Sequence, residues 1–232
     1  MTNIFLIILI PTLLAIAGAV IGTYRRPGER LTSAVQHFAA GLVIAAVAEE
    51  LVPEMTSGHG LAMTIGFILG VLLMLGLKKF TENTETKASG SYSPGTMLLL
   101  AVGIDLCVDG TLLGLAAGQG LLKSIGLIVA LTLEIGFLVL STTTTLLSKG
   151  YTEKRSLFST IGISLLFPVF AFCSYFFLQG LSGAYLVGAI SFAVAALLYL
   201  VFEELLVEAH EKEDAAWITA LFFLGFLVIF II

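Results

Sequence analysis

The sequence predicts an all-helical integral membrane protein: a single transmembrane domain, residues 1–232, with eight spanning helices and both termini outside. Three observations predict it. Of the 232 residues, 58% are hydrophobic and only 12% charged, more apolar surface than a soluble domain of this size can bury. Eight apolar runs approach or exceed the ~20 residues that a helix needs to cross a bilayer. Ten of the eleven Lys and Arg fall at the same ends of those runs, which marks that face as cytoplasmic.

The first helix is expected over 3–22. Its run, NIFLIILIPTLLAIAGAVIG, lacks a basic leader and exceeds a secretory h-region, and basic RRPGER follows it, so it reads as a span rather than a signal peptide. The second and third are expected over 31–54 and 60–77. A polar stretch, FTENTETKASGSYSPG, then fills a cytoplasmic loop, 78–94, expected to be mobile. The central pair is expected over 95–117 and 121–147, and the last three helices over 156–178, 183–208 and 214–232. Arg25, Arg26, Arg30, Lys78, Lys79, Lys87, Lys149, Lys154, Arg155 and Lys212 lie on the cytoplasmic side; Lys123 alone lies opposite. Tyr24, Tyr92, Tyr151, Tyr185 and Trp217 fall near the expected interfaces, as aromatic belts do.

Helix two ends in EELVPE and helix seven in EELLVE, so Glu-Glu-Leu-x-x-Glu recurs on two helices that run in opposite directions. An inverted repeat, three helices either side of a central pair, produces such a match.

The central pair carries the costly residues. Asp105 and Asp109 in LLLAVGIDLCVDGTLLG are one turn apart on one face, and Glu134 is the only acid in helix five. At 1.5 Å per residue from outer ends near 117 and 121, Asp105 lies about 18 Å in, Asp109 about 12 Å and Glu134 about 20 Å. All three can therefore meet near mid-membrane, Glu134 closest in height to Asp105. No Lys or Arg lies within any span near that depth, so a proton or a cation must offset the charge. Carboxylate oxygens are hard ligands that suit divalent cations, which makes Asp105, Asp109 and Glu134 the candidate metal ligands. The plainer reading is protonated acids bonding between helices, over a packing ridge of Gly103, Gly110, Gly114 and Gly118.

Further acids extend a candidate path. Glu50 and Glu54 stand at the outer end of helix two, and Glu204, Glu208 and His210 at the inner end of helix seven. Solvated helix ends are the alternative. Ser141 to Thr145 could line a polar exit, or bond their own backbone. Cys107 and Cys173 lie in apolar runs and are expected to be packed rather than bridged. Hydrolase, zinc-protease, Walker and C-x-x-C motifs are absent, so an enzyme is not expected. The scattered basic residues form no patch for nucleic acid.

These residues resemble the ZIP (ZRT/IRT-like) metal transporters, most of all their bacterial GufA-like branch. Helix two, HFAAGLVIAAVAEELVPEM, and helix seven, LLYLVFEELLVEAHE, are similar to that family's ELLPEA helix ends. Helix four, D-L-C-V-D-G, resembles H-N-x-P-[DE]-G, with Asp105 at the His position, Asp109 at the acid and Gly110 at the glycine. Helix five, L-E-I-G-F, resembles H-E-I-P-E, with Glu134 at its second position. Leu106, Leu133 and Phe137 replace the other ligands, and Phe167-Pro168 stands where the family often has Glu-Pro.

The resemblance implies a ZIP-like 3+2+3 fold in a cell membrane, the bacterial inner membrane on this branch, and uptake of a divalent metal towards the cytoplasm. The family's two-metal centre is reduced to one carboxylate-lined site. Zn²⁺, Mn²⁺ and Fe²⁺ are all candidates, carried as cargo with no resident cofactor, and a homodimer is compatible with the family. The alternatives are a ZIP-fold protein that has lost transport and acts as metal sensor or scaffold, and a proton-coupled carrier of a small organic cation.

Overall fold

The computed structural model describes residues 2–25, 27–87, 94–118, 125–209 and 216–231. All the regular structure among them is helical. Helix α1 is Thr2–Tyr24 and α2 is Glu29–Ala46, which continues through a π-helical turn, Val47–Leu51, into Val52–Met55. Helix α3 is Gly60–Lys87, α4 Pro94–Gly118 and α5 Ile125–Ser148. Helix α6 is broken into Glu153–Ser164 and Leu166–Leu178. Helix α7 is Gly183–Leu200, again continued by a π-helical turn, Val201–Leu205, and by Leu206–Ala209; α8 is Ala216–Ile229.

Seven of the eight are long and apolar enough to cross a membrane. The eighth differs from expectation: α8 has 14 residues, about 21 Å of helix against a hydrocarbon core of about 30 Å. The surface fits lipid rather than water. Leu72, Phe177 and Phe223 point outwards and are exposed, while Asp109, Glu134, Thr143 and Ser156 are buried. The chain is a multi-pass membrane protein.

Two further boundaries differ from the sequence reading. Helix α3 runs ten residues beyond its expected end at 77, through more than half of the expected loop 78–94. KKFTENTETK is polar but contains neither Gly nor Pro, and polarity ends a membrane span without ending a helix. Residues 88–93 lie outside the described residues, as do 119–124, where the sequence starts helix five. Helix α6 was expected to be continuous over 156–178. Pro168 has no N–H for the Ser164 carbonyl and its ring crowds that oxygen, so the helix breaks at Leu165. The next bond, Val169 N–H to Leu165 O, is stretched to 3.4 Å. At the other end Thr152 Oγ1 accepts from Arg155 N–H at 3.3 Å, which starts the helix three residues early.

Four seams hold the bundle: α1 on α5, the second half of α6 on α4, α2 on α8, and α3 on α7. Each is parallel, because contacting residue numbers rise together along both helices. Gly18 meets the carbonyl of Gly136 and Gly22 that of Leu140; Gly110 meets Phe167 and Gly114 meets Ala171. Gly41 and Gly225 do the same for α2 and α8, Gly66 and Gly70 for α3 and α7. At each place a Cβ would run into backbone or a neighbouring side chain, so glycine permits the close approach that substitutes for a hydrophobic drive in lipid. The two central helices, α4 and α5, also pack on each other.

Candidate metal centre

The three candidate ligands are placed in the interior of the two central spans. Asp109 is 1% exposed, Glu134 6% and Asp105 9%. Along its own helix Asp109 lies nine residues from Gly118, and Glu134 nine from Ile125, about 14 Å in each case. Asp105 lies 13 residues from Gly118.

Burial on two packed helices is one thing and a finished coordination cage is another. Among the described residues, no three or more His, Cys, Asp or Glu side chains are grouped so as to hold a metal ion. The positions where a resemblance would look for further ligands are apolar packing instead. Leu106 and Phe167 are both fully buried, and the Phe167 carbonyl is what the close approach of Gly110 meets. His37 is buried within α2 rather than near a helix end, and its Nδ1 sits 2.9 Å from the Ser33 carbonyl.

The twin Glu-Glu-Leu stretches are the second feature. Each forms a π-helical turn, a widening often found at functional sites. Pro53 leaves the Glu49 carbonyl without its usual donor, which favours the widening in α2. The turn in α7 has no proline, so the shared cause lies in the repeated sequence and its setting.

In α2 the turn carries Glu50 to the start of α5. Glu50 Oε1 accepts the Leu127 N–H at 3.1 Å, satisfying one of the donors that a helix N-terminus leaves open. A Cβ on Gly126 would stand 2.6 Å from that oxygen, so a side chain there would push the carboxylate aside. Glu54 is exposed. In α7, Glu203 pairs with Lys78 of α3 at 2.6 Å, both about half exposed. Nothing in the sequence separates Lys78 from the other basic residues of that face, so this pair was not foreseen. The side chains of Glu204 and Glu208, and His210 altogether, lie outside the described residues, as do Arg26, Tyr92, Lys123 and Lys212.

The hydroxyl run follows the plainer expectation. Thr142 and Thr143 donate to the carbonyls one turn back, Leu138 and Val139, each at 2.7 Å, and Thr144 donates to Ser141 O. Thr143 Oγ1 also stands 3.1 Å from Thr160 Oγ1, a polar tie between α5 and α6. Both cysteines are free; Cys107 is half-buried, but Cys173 is exposed rather than packed. No protein-family model and no curated protein matches this chain.

Proposed function

We propose that this protein is a ZIP-like carrier that moves a divalent metal cation towards the cytoplasm between α4 and α5. The observation that carries the reading is the burial of Asp105, Asp109 and Glu134 within two spans that contain no Lys or Arg. A charged residue at mid-membrane costs about 2.5–3.5 kcal/mol even on the mildest scale, and such residues mark ion or substrate pathways.

The packing supports an inverted repeat. Exchanging α1–α3 with α6–α8, and α4 with α5, turns the α1/α5 seam into α6/α4 and the α2/α8 seam into α7/α3. These are the four seams of the bundle, and the same exchange pairs the two Glu-Glu-Leu turns. Carriers built this way hold their cargo at the centre, between the repeats. The central carboxylates then supply hard oxygen ligands to one ion, with water and backbone carbonyls completing its shell; without imidazole or thiolate, Mn²⁺ and Fe²⁺ compete with Zn²⁺. Ten of eleven basic residues on one face orient the protein with its termini outside.

A second reading has its own support. The absence of a group of three ligands among the described residues favours a ZIP-fold protein that senses metal or scaffolds a complex without carrying it. Uptake by liposomes containing the purified protein, with Mn²⁺, Fe²⁺ and Zn²⁺ offered singly, separates the two. The carrier reading expects saturable uptake of at least one ion, reduced to the level of protein-free liposomes by Asp109→Asn. Binding without uptake of any of the three supports the sensor or scaffold.

A further inference from the structure

Three helices meet at Thr143 of α5. A Cβ on Gly22 of α1 would stand 3.0 Å from the Thr143 Cβ, and Thr143 Oγ1 lies 3.1 Å from Thr160 Oγ1 of α6. From this anchor the three chain segments carry basic residues towards the same end. Arg25 is three residues on from Gly22 and Lys149 six on from Thr143, while Arg155 and Lys154 are five and six back from Thr160. At 1.5 Å per residue these are about 4.5 to 9 Å of helix. Arg30, in the first turn of α2, adds a fifth charge nearby. Spread from residue 25 to residue 155 in sequence, they share one corner of the basic face in the fold.

All five are exposed. Among the described residues none of them forms an ion pair, whereas Lys78, on the same face, is paired with Glu203. Glu153 is the acid described at this corner; Arg26 and the side chain of Glu29 lie outside the described residues. Arg155 is the fixed member. Its guanidinium lies 4.8 Å from the centroid of the Tyr151 ring, over its face. The ring is itself wedged, since a Cβ on Gly95 of α4 would stand 2.6 Å from it. Tyr151 N–H also closes the end of α5 on Leu146 O at 3.1 Å, past Gly150 at φ +86°. A guanidinium held this way presents forked donors that suit a phosphate group.

A cluster of cations without carboxylate partners attracts anions, and the aromatic residues beside it indicate which kind. Tyr24 precedes Arg25. Phe158 follows Arg155 by three residues and Lys154 by four, on their face of α6 and one turn deeper in the span. Both rings are exposed. Basic side chains at headgroup level, with aromatic rings at the acyl boundary, fit an anion that carries its own hydrocarbon. We propose that Arg25, Lys149, Lys154 and Arg155 bind the phosphate of an anionic phospholipid, with Arg155 as the fixed point and Phe158 against the acyl chains. The inference concerns this corner alone and holds whatever the protein carries.

Basic residues placed only to orient the chain would attract anionic lipid diffusely, so the test separates a site from that field. Native mass spectrometry of the full chain, released from micelles that contain phosphatidylglycerol or phosphatidylcholine, counts the lipid retained. The wild-type protein is expected to keep phosphatidylglycerol and to lose phosphatidylcholine. Arg155→Gln and Lys154→Gln, both at exposed positions, should each weaken retention roughly five-fold, what one basic residue near an anionic surface is worth. Lys79→Gln removes the same charge from the same face beside α3 and should leave retention unchanged. Glycerol phosphate, which has the headgroup charge without the chains, should not displace the lipid at equal concentration. Equal retention of the two lipids overturns the proposal, as does a loss in Lys79→Gln that matches Arg155→Gln. Displacement by glycerol phosphate would assign the corner to a soluble phosphate and overturn it too.

Discussion

Gly225 and Gly76 are the same residue type in helices of similar composition, yet their surroundings demand opposite outcomes. A Cβ on Gly225 would collide with the Phe38 carbonyl oxygen and stand 3.2 Å from Leu42 N, all backbone of α2. Backbone cannot rotate aside, so Gly225→Ala should push α8 off α2 and cost about 1–3 kcal/mol, as overpacking does. Gly76 has nothing within 4 Å of its would-be Cβ. Gly76→Ala should therefore be neutral or stabilise by up to about 1 kcal/mol through helix propensity. Thermal unfolding in detergent measures both, and equal shifts would contradict the seam geometry. The glycine ridge of helix four was legible in the sequence, but its partner was not. Gly110 and Gly114 meet backbone of α6, whereas Gly103 touches only the side chain of Leu166, because spacing defines a face and not what lies against it. The burial of Asp105, Asp109 and Glu134 was legible for a simpler reason: each interrupts an apolar run.

Among the elements, the π-helical turns separate local from shared causes. If Pro53 made the turn in α2, the proline-free turn in α7 would have no counterpart reason to exist. Pro53→Ala is therefore expected to leave Val47–Leu51 π-helical and Glu50 against Leu127. A structure of the variant in which that segment becomes regular α-helix would show that proline alone sets it. At Pro168 the expectation reverses. Pro168→Ala restores a donor for the Ser164 carbonyl and should close the break at Leu165, straightening α6. Spin labels at Lys154 and Phe177, both exposed, would report the straightening as a longer and narrower distance distribution. The broken helix escaped the sequence reading because hydropathy registers an apolar run whether or not it bends. The extension of α3 to Lys87 escaped it for the converse reason, a polar segment being taken for a loop.

At the scale of the whole molecule, eight helices in order were legible from hydropathy and basic residues. The pairing α1 with α5 and α4 with α6 was not, because it joins helices far apart in sequence through contacts between small residues. One six-residue match between helices two and seven was the only trace in the chain itself of the proposed repeat. The central claim is that the acids buried on the two central helices serve as one cation station. Calorimetric titration of the purified protein with Mn²⁺ tests it most directly, against Asp105→Asn and Asp109→Asn, which keep shape and remove charge. The account predicts one ion per chain in the wild type and no measurable binding in either variant, with folding unchanged. Wild-type affinity retained in both variants would contradict it.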